Sequence, residues 1–271
     1  MELRELQLTQ LDILRVFDET CKEMKVNYSL AFGTLLGAVR HEGFIPWDDD
    51  VDVMMKREDY DRFVQEANNM LPDGYFVQSN FSDENYPLDF AKLIIEDLSL
   101  SVVESLSLDI KHGIFIDIFP VDRCSSNRVV DLCDRAIASA ARFVSYSVLD
   151  EQFESGFMRR VLRTHAQKLV EKRGVRPFVQ RIEKVRRKRN VASNKMSYYY
   201  YTGDIPLKFD PSKRMPIAFI DNLTKLKFEG EWFMAVEDYD TLLTAIYGDY
   251  MTPPPVEERK PSHELRDSRS S

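Results

Sequence analysis

The chain has 271 residues, 44% apolar and 11% aromatic, enough to bury a core in one large domain or two small ones. Its formal net charge of -8 argues against nucleic acid as a partner. Three cysteines, Cys21, Cys124 and Cys133, form no C-x-x-C pair, which argues against a zinc site or a disulfide framework and for reduced thiols in a cytoplasmic protein.

The first twenty residues carry charges throughout and lack the basic and apolar regions of a signal peptide. No stretch reaches the roughly 18 uncharged apolar residues that a membrane-spanning helix needs. Leu3, Leu6, Leu11, Ile13, Leu14, Phe17 and Met24 recur at three- and four-residue steps, which predicts an amphipathic helix over residues 3–26. "NYSLAF" reads as a short strand, Gly33-Thr34 as the start of a turn, and "TLLGAVRH" as a short helix ended by Gly43 and Pro46.

"DVDVMM" predicts a strand and "REDYDRFVQEANNML" a helix, stopped at Pro72-Asp73-Gly74. Four strand candidates follow, "YFVQS", "FAKLIIE", "LSVVES" and "GIFIDIFP", with a hairpin at "DLS". Residues 125–190 have few turn residues and predict long helices. Within 159–189 stand thirteen lysines or arginines against Glu171 and Glu183 alone. "TKLKFEGEWFM" returns to β-structure, "VEDYDTLLTAIYG" predicts a last helix, and the tail reads as extended and then disordered. The expected class is α+β, a mixed sheet core flanked by helices with a helical middle. The division is core 1–124, helical insertion or lobe 125–200, return to the core 201–256, and tail 257–271.

The chemistry concentrates in "WDDDVDV". In a strand, Asp48, Asp50 and Asp52 would share one face, neighbours roughly 6–7 Å apart. Burying bare carboxylates is costly. A divalent cation removes that cost, and hard oxygen ligands suit Mg²⁺ or Mn²⁺. Two aspartates at i and i+2 also suit a metal pair about 3.5–4 Å apart in phosphoryl transfer. On this run alone a solvated acidic turn is the stronger reading. The preceding Gly33-Thr34 turn and helix shift the balance, because backbone N–H groups there suit a phosphate. Asp117, alone between Ile116 and Ile118 in an apolar strand, completes a carboxylate triad if it lies beside Asp50 and Asp52. It would then bind metal or accept a proton from an attacking hydroxyl.

"FGTLLGAVRHEGFIPWDDDVDV" closely resembles the signature of the LicD family, named for phosphorylcholine transferases and including the fukutin-related proteins. "HGIFIDIFPVD" and "YGDYMTPPPVEERKPSH" resemble later blocks of that family, so the resemblance spans roughly residues 28–263. It implies a nucleotidyltransferase-like fold. It also implies the roles: Gly33 and Thr34 as the turn, Asp50 and Asp52 as metal ligands, Asp117 as the third carboxylate, and Asp48 as an added ligand or support. The implied activity is transfer of a phospho-substituent from a CDP-linked donor, CDP-choline foremost, to a sugar hydroxyl of a cell-surface glycan precursor. Teichoic acid and lipopolysaccharide precursors are the expected acceptors.

The donor phosphates need cations besides the metal. Arg40 ends the short helix, and Lys92 stands in an apolar strand; Arg259 and His263 lie in the tail block. Trp47 reads as a packed anchor, and of four consecutive tyrosines at 198–201 at most half face one way. The basic segment 159–189 is either a solvated face or a peripheral contact with the anionic inner leaflet, where a lipid-linked acceptor would lie. Two other readings stand beside phosphotransfer: a nucleotidyltransferase moving NMP from an NTP, and a non-catalytic nucleotide-binding module.

Overall fold

The computed structural model describes residues 2–96, 113–125, 127–149, 157–191, 198–200, 215–216 and 219–261. The chain opens with helix α1 (Leu3–Met24). Its first turn is closed by the Glu2 N–H, which donates to Glu5 Oε2 at 3.0 Å. Its apolar stripe, Leu6 through Met24, is buried against the sheet strands. Lys25 ends it with φ of 54, the left-handed conformation of a helix C-terminus.

Five strands build the main sheet: β1 (Ser29–Leu30), β2 (Asp52–Lys56), β3 (Tyr75–Gln78), β4 (Ala91–Ile95) and β5 (Ile114–Arg123). Their order is β1-β2-β5-β4-β3. Only the β2–β5 pair of this path is parallel. Strand β5 is flanked on both sides, and Ile114, Phe115, Ile116, Ile118 and Phe119 are all buried, which explains its nearly unbroken apolar run. Helix α2 (Phe32–His41) links β1 to β2, and α3 (Arg57–Glu66) follows β2.

Helices α4 (Arg128–Tyr146), α5 (Phe157–Arg173) and α6 (Arg176–Val191) fill the middle of the chain. Asn127 caps α4 by accepting from Val129 N and Val130 N. Strand β6 (Tyr198–Tyr200) then pairs with the end of β5, and β7 (Met215–Pro216) pairs with β6. A separate hairpin, β8 (Leu223–Phe228) and β9 (Glu231–Val236), turns through Glu229 and Gly230, both at positive φ, as a two-residue hairpin turn requires. Helix α7 (Tyr239–Tyr247) follows. The α+β class is as expected. The "LSVVES" strand and "DLS" hairpin fall outside the described residues. Among the described residues no helix is long and apolar enough to cross a membrane.

The basic segment is in large part exposed, with a minority of its cations committed to ion pairs. Three of its cations, Arg186, Arg187 and Arg189, pair with carboxylates far away in sequence. Arg186 and Arg142 both grip Asp89, with Arg142 Nη2 at 2.6 Å, and Tyr146 donates to the same carboxylate. Arg57 makes a two-pronged contact with Asp122, at 2.7 and 2.6 Å, and reaches Glu183 at 3.1 Å. Arg187 pairs with Asp61, and Arg189 with Asp134. Arg160, Lys168, Lys172, Arg173, Arg181, Lys184 and Lys188 stay exposed. The buried network fastens α4 and α6 to the sheet.

Burial alone would push the Asp89 carboxyl up, but Arg142 and Arg186 outweigh it and hold it well below the usual range. Asp89→Ala is expected to cost about 3 kcal/mol, the lower end for breaking a buried pair, read from urea unfolding. The wild-type advantage should be full above about pH 4, the ordinary carboxylate range, and shrink as pH falls toward the depressed native value. An advantage unchanged to low pH would contradict the assignment.

Candidate active site

The acidic segment is not a continuous strand. Strand β2 begins only at Asp52, and residues 48–51 are irregular. The cause is visible in where the backbone bonds go. Gln7 Nε2 donates to Asp48 O at 2.8 Å, and Gln10 Nε2 donates to Asp49 O at 2.9 Å. Thr34 Oγ1 accepts from Asp52 N at 2.8 Å, and Asp52 O accepts from Ala31 N at 2.9 Å. Side chains and the start of α2 therefore satisfy this backbone, and a strand ladder is not needed. The β5 side joins at Val51, whose carbonyl accepts from Asp117 N at 2.8 Å.

Asp48, Asp49 and Asp50 consequently converge from a loop, where alternation along a strand was expected. Each offers a carboxylate oxygen within 4.8 Å of the others. Asp49, which the sequence pattern did not single out, belongs to this group and is buried. Asp52 is buried next to them. Burial, then Asp50, Asp117 and Asp48, push its carboxyl well up, while Lys92 pulls it down.

The sheet register supplies the rest. Asp52 is paired with Asp117, and Asp117 with Lys92, so three charged side chains form a row across β2, β5 and β4. Lys92 Nζ lies 3.6 Å from Asp117 Oδ1 and 3.3 Å above the Phe115 ring. Its side chain is 4% exposed. This lysine, expected at a phosphate, stands beside the third carboxylate.

Gly33 and Thr34 are also placed differently from the expected turn. They lie in the first turn of α2, which begins at Phe32. Phe32 itself takes φ of 45, a costly conformation for a bulky residue, immediately before the acidic loop's seat. A Cβ on Gly33 would stand 2.6 Å from Asp48 Oδ2, and one on Gly37 would stand 2.5 Å from Gly43 O. The two glycines thus open one side of α2, and the 43–48 segment lies back along it. Thr34 is buried, with its hydroxyl committed to Asp52 N.

Arg40 and Arg259 both contact the segment that follows α7, and Arg259 also reaches Trp47. Arg40 Nη1 donates to Tyr250 O at 2.7 Å, and the Arg259 guanidinium lies 5.2 Å over the Trp47 ring. His41 approaches the same ring edge-on at 6.4 Å. Burial first, then the Arg259 charge, lower the Arg40 pKa. Trp47 packs against the main core, as an anchor should. His263 and Tyr201 fall outside the described residues, as does His112.

The donor set is all hard oxygen, and the most buried carboxylate is crowded by like charges. Both features fit a divalent cation of the Mg²⁺ or Mn²⁺ type. Two expectations follow. Asp52→Asn should stabilise the cation-free protein by on the order of 1 kcal/mol, about 2–4 °C in thermal midpoint, while abolishing stabilisation by Mn²⁺. Gly33→Ala should keep the fold but displace Asp48, because the flexible carboxylate gives way first; weakened Mn²⁺ binding would register it. A midpoint lowered by Asp52→Asn would contradict the crowding account.

Residues 25–134 match the family model "LicD/FKTN/FKRP, nucleotidyltransferase domain". The lipopolysaccharide cholinephosphotransferase LicD of Haemophilus influenzae is 30% identical over 281 aligned positions, covering 97% of this chain and 96% of that protein. Uncharacterized proteins of Rickettsia typhi and Rickettsia prowazekii match shorter stretches, 38% identical over 79 residues and 40% over 52. These cover 29% and 19% of this chain, and 25% and 20% of the two relatives. A likeness that runs nearly end to end, over a sheet carrying the acidic row, makes the chain a member of the LicD family of phosphotransferases.

Proposed function

We propose that this protein transfers phosphocholine from CDP-choline to a hydroxyl of a cell-surface glycan precursor. The observation that carries the reading is the row Asp52, Asp117 and Lys92 beside the Asp48–Asp50 loop, in a chain similar along its whole length to a lipopolysaccharide cholinephosphotransferase. The acceptor is a lipopolysaccharide or teichoic acid precursor, lipid-linked on the cytoplasmic face. The exposed cations of α5 and α6 support a peripheral contact with that anionic surface.

In this reading Asp50 and Asp52, with Asp48 and Asp117, hold Mg²⁺ or Mn²⁺. The bound cation would neutralise the donor diphosphate. Gly33 and Thr34 at the start of α2, together with Arg40, Lys92, Arg259 and His263, complete the substrate-binding set. The acceptor oxygen bonds to the choline-bearing phosphorus as the bond from that phosphorus to the CMP oxygen breaks. CMP leaves, and the hydroxyl proton passes to a carboxylate of the set, with Asp117 our candidate. Lys92 holds Asp117 in place throughout.

The decisive assay is CMP release from CDP-choline with lipopolysaccharide or teichoic acid as acceptor, with and without Mg²⁺. Metal-dependent release is expected, and Asp50→Asn and Asp117→Asn should each lower kcat by about a hundredfold or more. Turnover unchanged in those variants overturns the mechanism. Pyrophosphate released from CTP would support nucleotidyl transfer instead. Binding of CDP-choline with no CMP released from any acceptor would indicate a non-catalytic module.

A further inference from the structure

Most of the described buried or half-buried arginines have carboxylate partners. Arg57 has Asp122, Arg142 and Arg186 have Asp89, Arg187 has Asp61, and Arg189 has Asp134. Arg40 and Arg259 do not follow this pattern. Both are half-buried. Among the described residues no carboxylate pairs with either. Arg40 reaches the Tyr250 carbonyl and, at 3.4 Å, the His41 ring nitrogen; Arg259 Nε reaches the Pro254 carbonyl at 2.9 Å. A guanidinium has five N–H donors, so most remain to be used.

The Arg259 charge is near enough to lower the Arg40 pKa, and with no carboxylate beside them among the described residues the arrangement is unfavourable unless an anion joins them. The fold nevertheless imposes the arrangement from both ends of the chain. Arg40 is fixed in the last turn of α2. Arg259 ends the single 3₁₀ turn Val256–Glu258, and its guanidinium is held over Trp47. The tail between them is pinned by Tyr250, whose hydroxyl donates to Asp240 and whose carbonyl takes Arg40.

The position matters. Trp47 directly precedes Asp48, whose carboxylate lies over Gly33. Arg40 stands seven residues along the same helix from Gly33, about 10 Å by helical rise and near the same face. A cationic pair and a carboxylate cluster thus sit at the two ends of one short helix.

We propose that Arg40 and Arg259 form a second phosphate subsite, with the 250–259 strap delivering one of its two guanidiniums. Its ligand is a phosphate ester held by two guanidiniums, as carboxylates and phosphates commonly are. The inference rests on the proposed phosphotransfer for its role, since that substrate carries two phosphates. Its chemistry stands apart from that role. The phosphate belongs to the nucleotide donor or to a phosphorylated acceptor, and competition separates the two sources.

The test is calorimetric titration of the full chain with sodium pyrophosphate in EDTA. Wild type should bind, and Arg40→Gln or Arg259→Gln should each weaken binding about tenfold or more, the loss of one charge-assisted contact. Unchanged thermal midpoints guard against misfolding. Arg40→Lys and Arg259→Lys retain the charge but lose the fork, and should fall between wild type and the glutamine variants. Displacement of pyrophosphate by CDP-choline assigns the subsite to the donor; displacement by glucose 6-phosphate assigns it to the acceptor. Displacement by neither, no binding by wild type, or equal binding by the glutamine variants overturns the inference. This outcome is independent of CMP release, so the subsite and the phosphotransfer reading fail separately.

Discussion

Everything in this protein is arranged around carboxylates that repel one another in a place where water is scarce. Asp52 is buried, and Asp50, Asp117 and Asp48 each raise the cost of its charge. Two terms reduce that cost within the protein. Lys92 stands in the same sheet row and offsets part of the field. A cation shared by the set would remove most of the remainder. Proteins accept such local strain where a ligand later relieves it, and stability lost in the empty site is the usual accompaniment of function.

The geometry is enforced by unremarkable residues. Gln7 and Gln10, buried one helical turn apart on α1, hold the carbonyls of Asp48 and Asp49. The acidic loop is thereby tied to the helix that anchors the core. Gly33 and Gly37 let that loop lie against α2, since any side chain at either position would collide with it. Thr34 links the same helix to the first residue of β2. Remote from the site, the Asp89, Asp122 and Glu183 network ties the helical middle to the strand that carries Asp117. Stability of the lobe and position of the third carboxylate therefore share one strand, β5.

Much of this was legible in the sequence because it is local. The stripe of α1, the long helices after residue 125 and the apolar run of β5 follow from periodicity. Asp117 stood out as an aspartate alone in an apolar strand, expected to join the set if that strand lay beside Asp52, and the parallel β2–β5 register puts it there. What failed to show was non-local. That Lys92 stands opposite Asp117 shows only in the β4–β5 register. The pairing of Arg187, Arg186 and Arg189 does not show in the basic segment because their partners, Asp61, Asp89 and Asp134, lie 126, 97 and 55 residues away. Asp49 was passed over because strand alternation assigned it to the wrong side, and there is no strand there. Gln7 and Gln10 left a usable signal: two polar residues, one turn apart, among the apolar residues that α1 buries.

The central claim is that these carboxylates are arranged to hold a divalent cation. Crystals grown with Mn²⁺ and measured at the manganese absorption edge test it directly. The account predicts an anomalous peak among the oxygens of Asp48, Asp50, Asp52 and Asp117. No peak there at saturating Mn²⁺, with the carboxylates in the positions described, would contradict it.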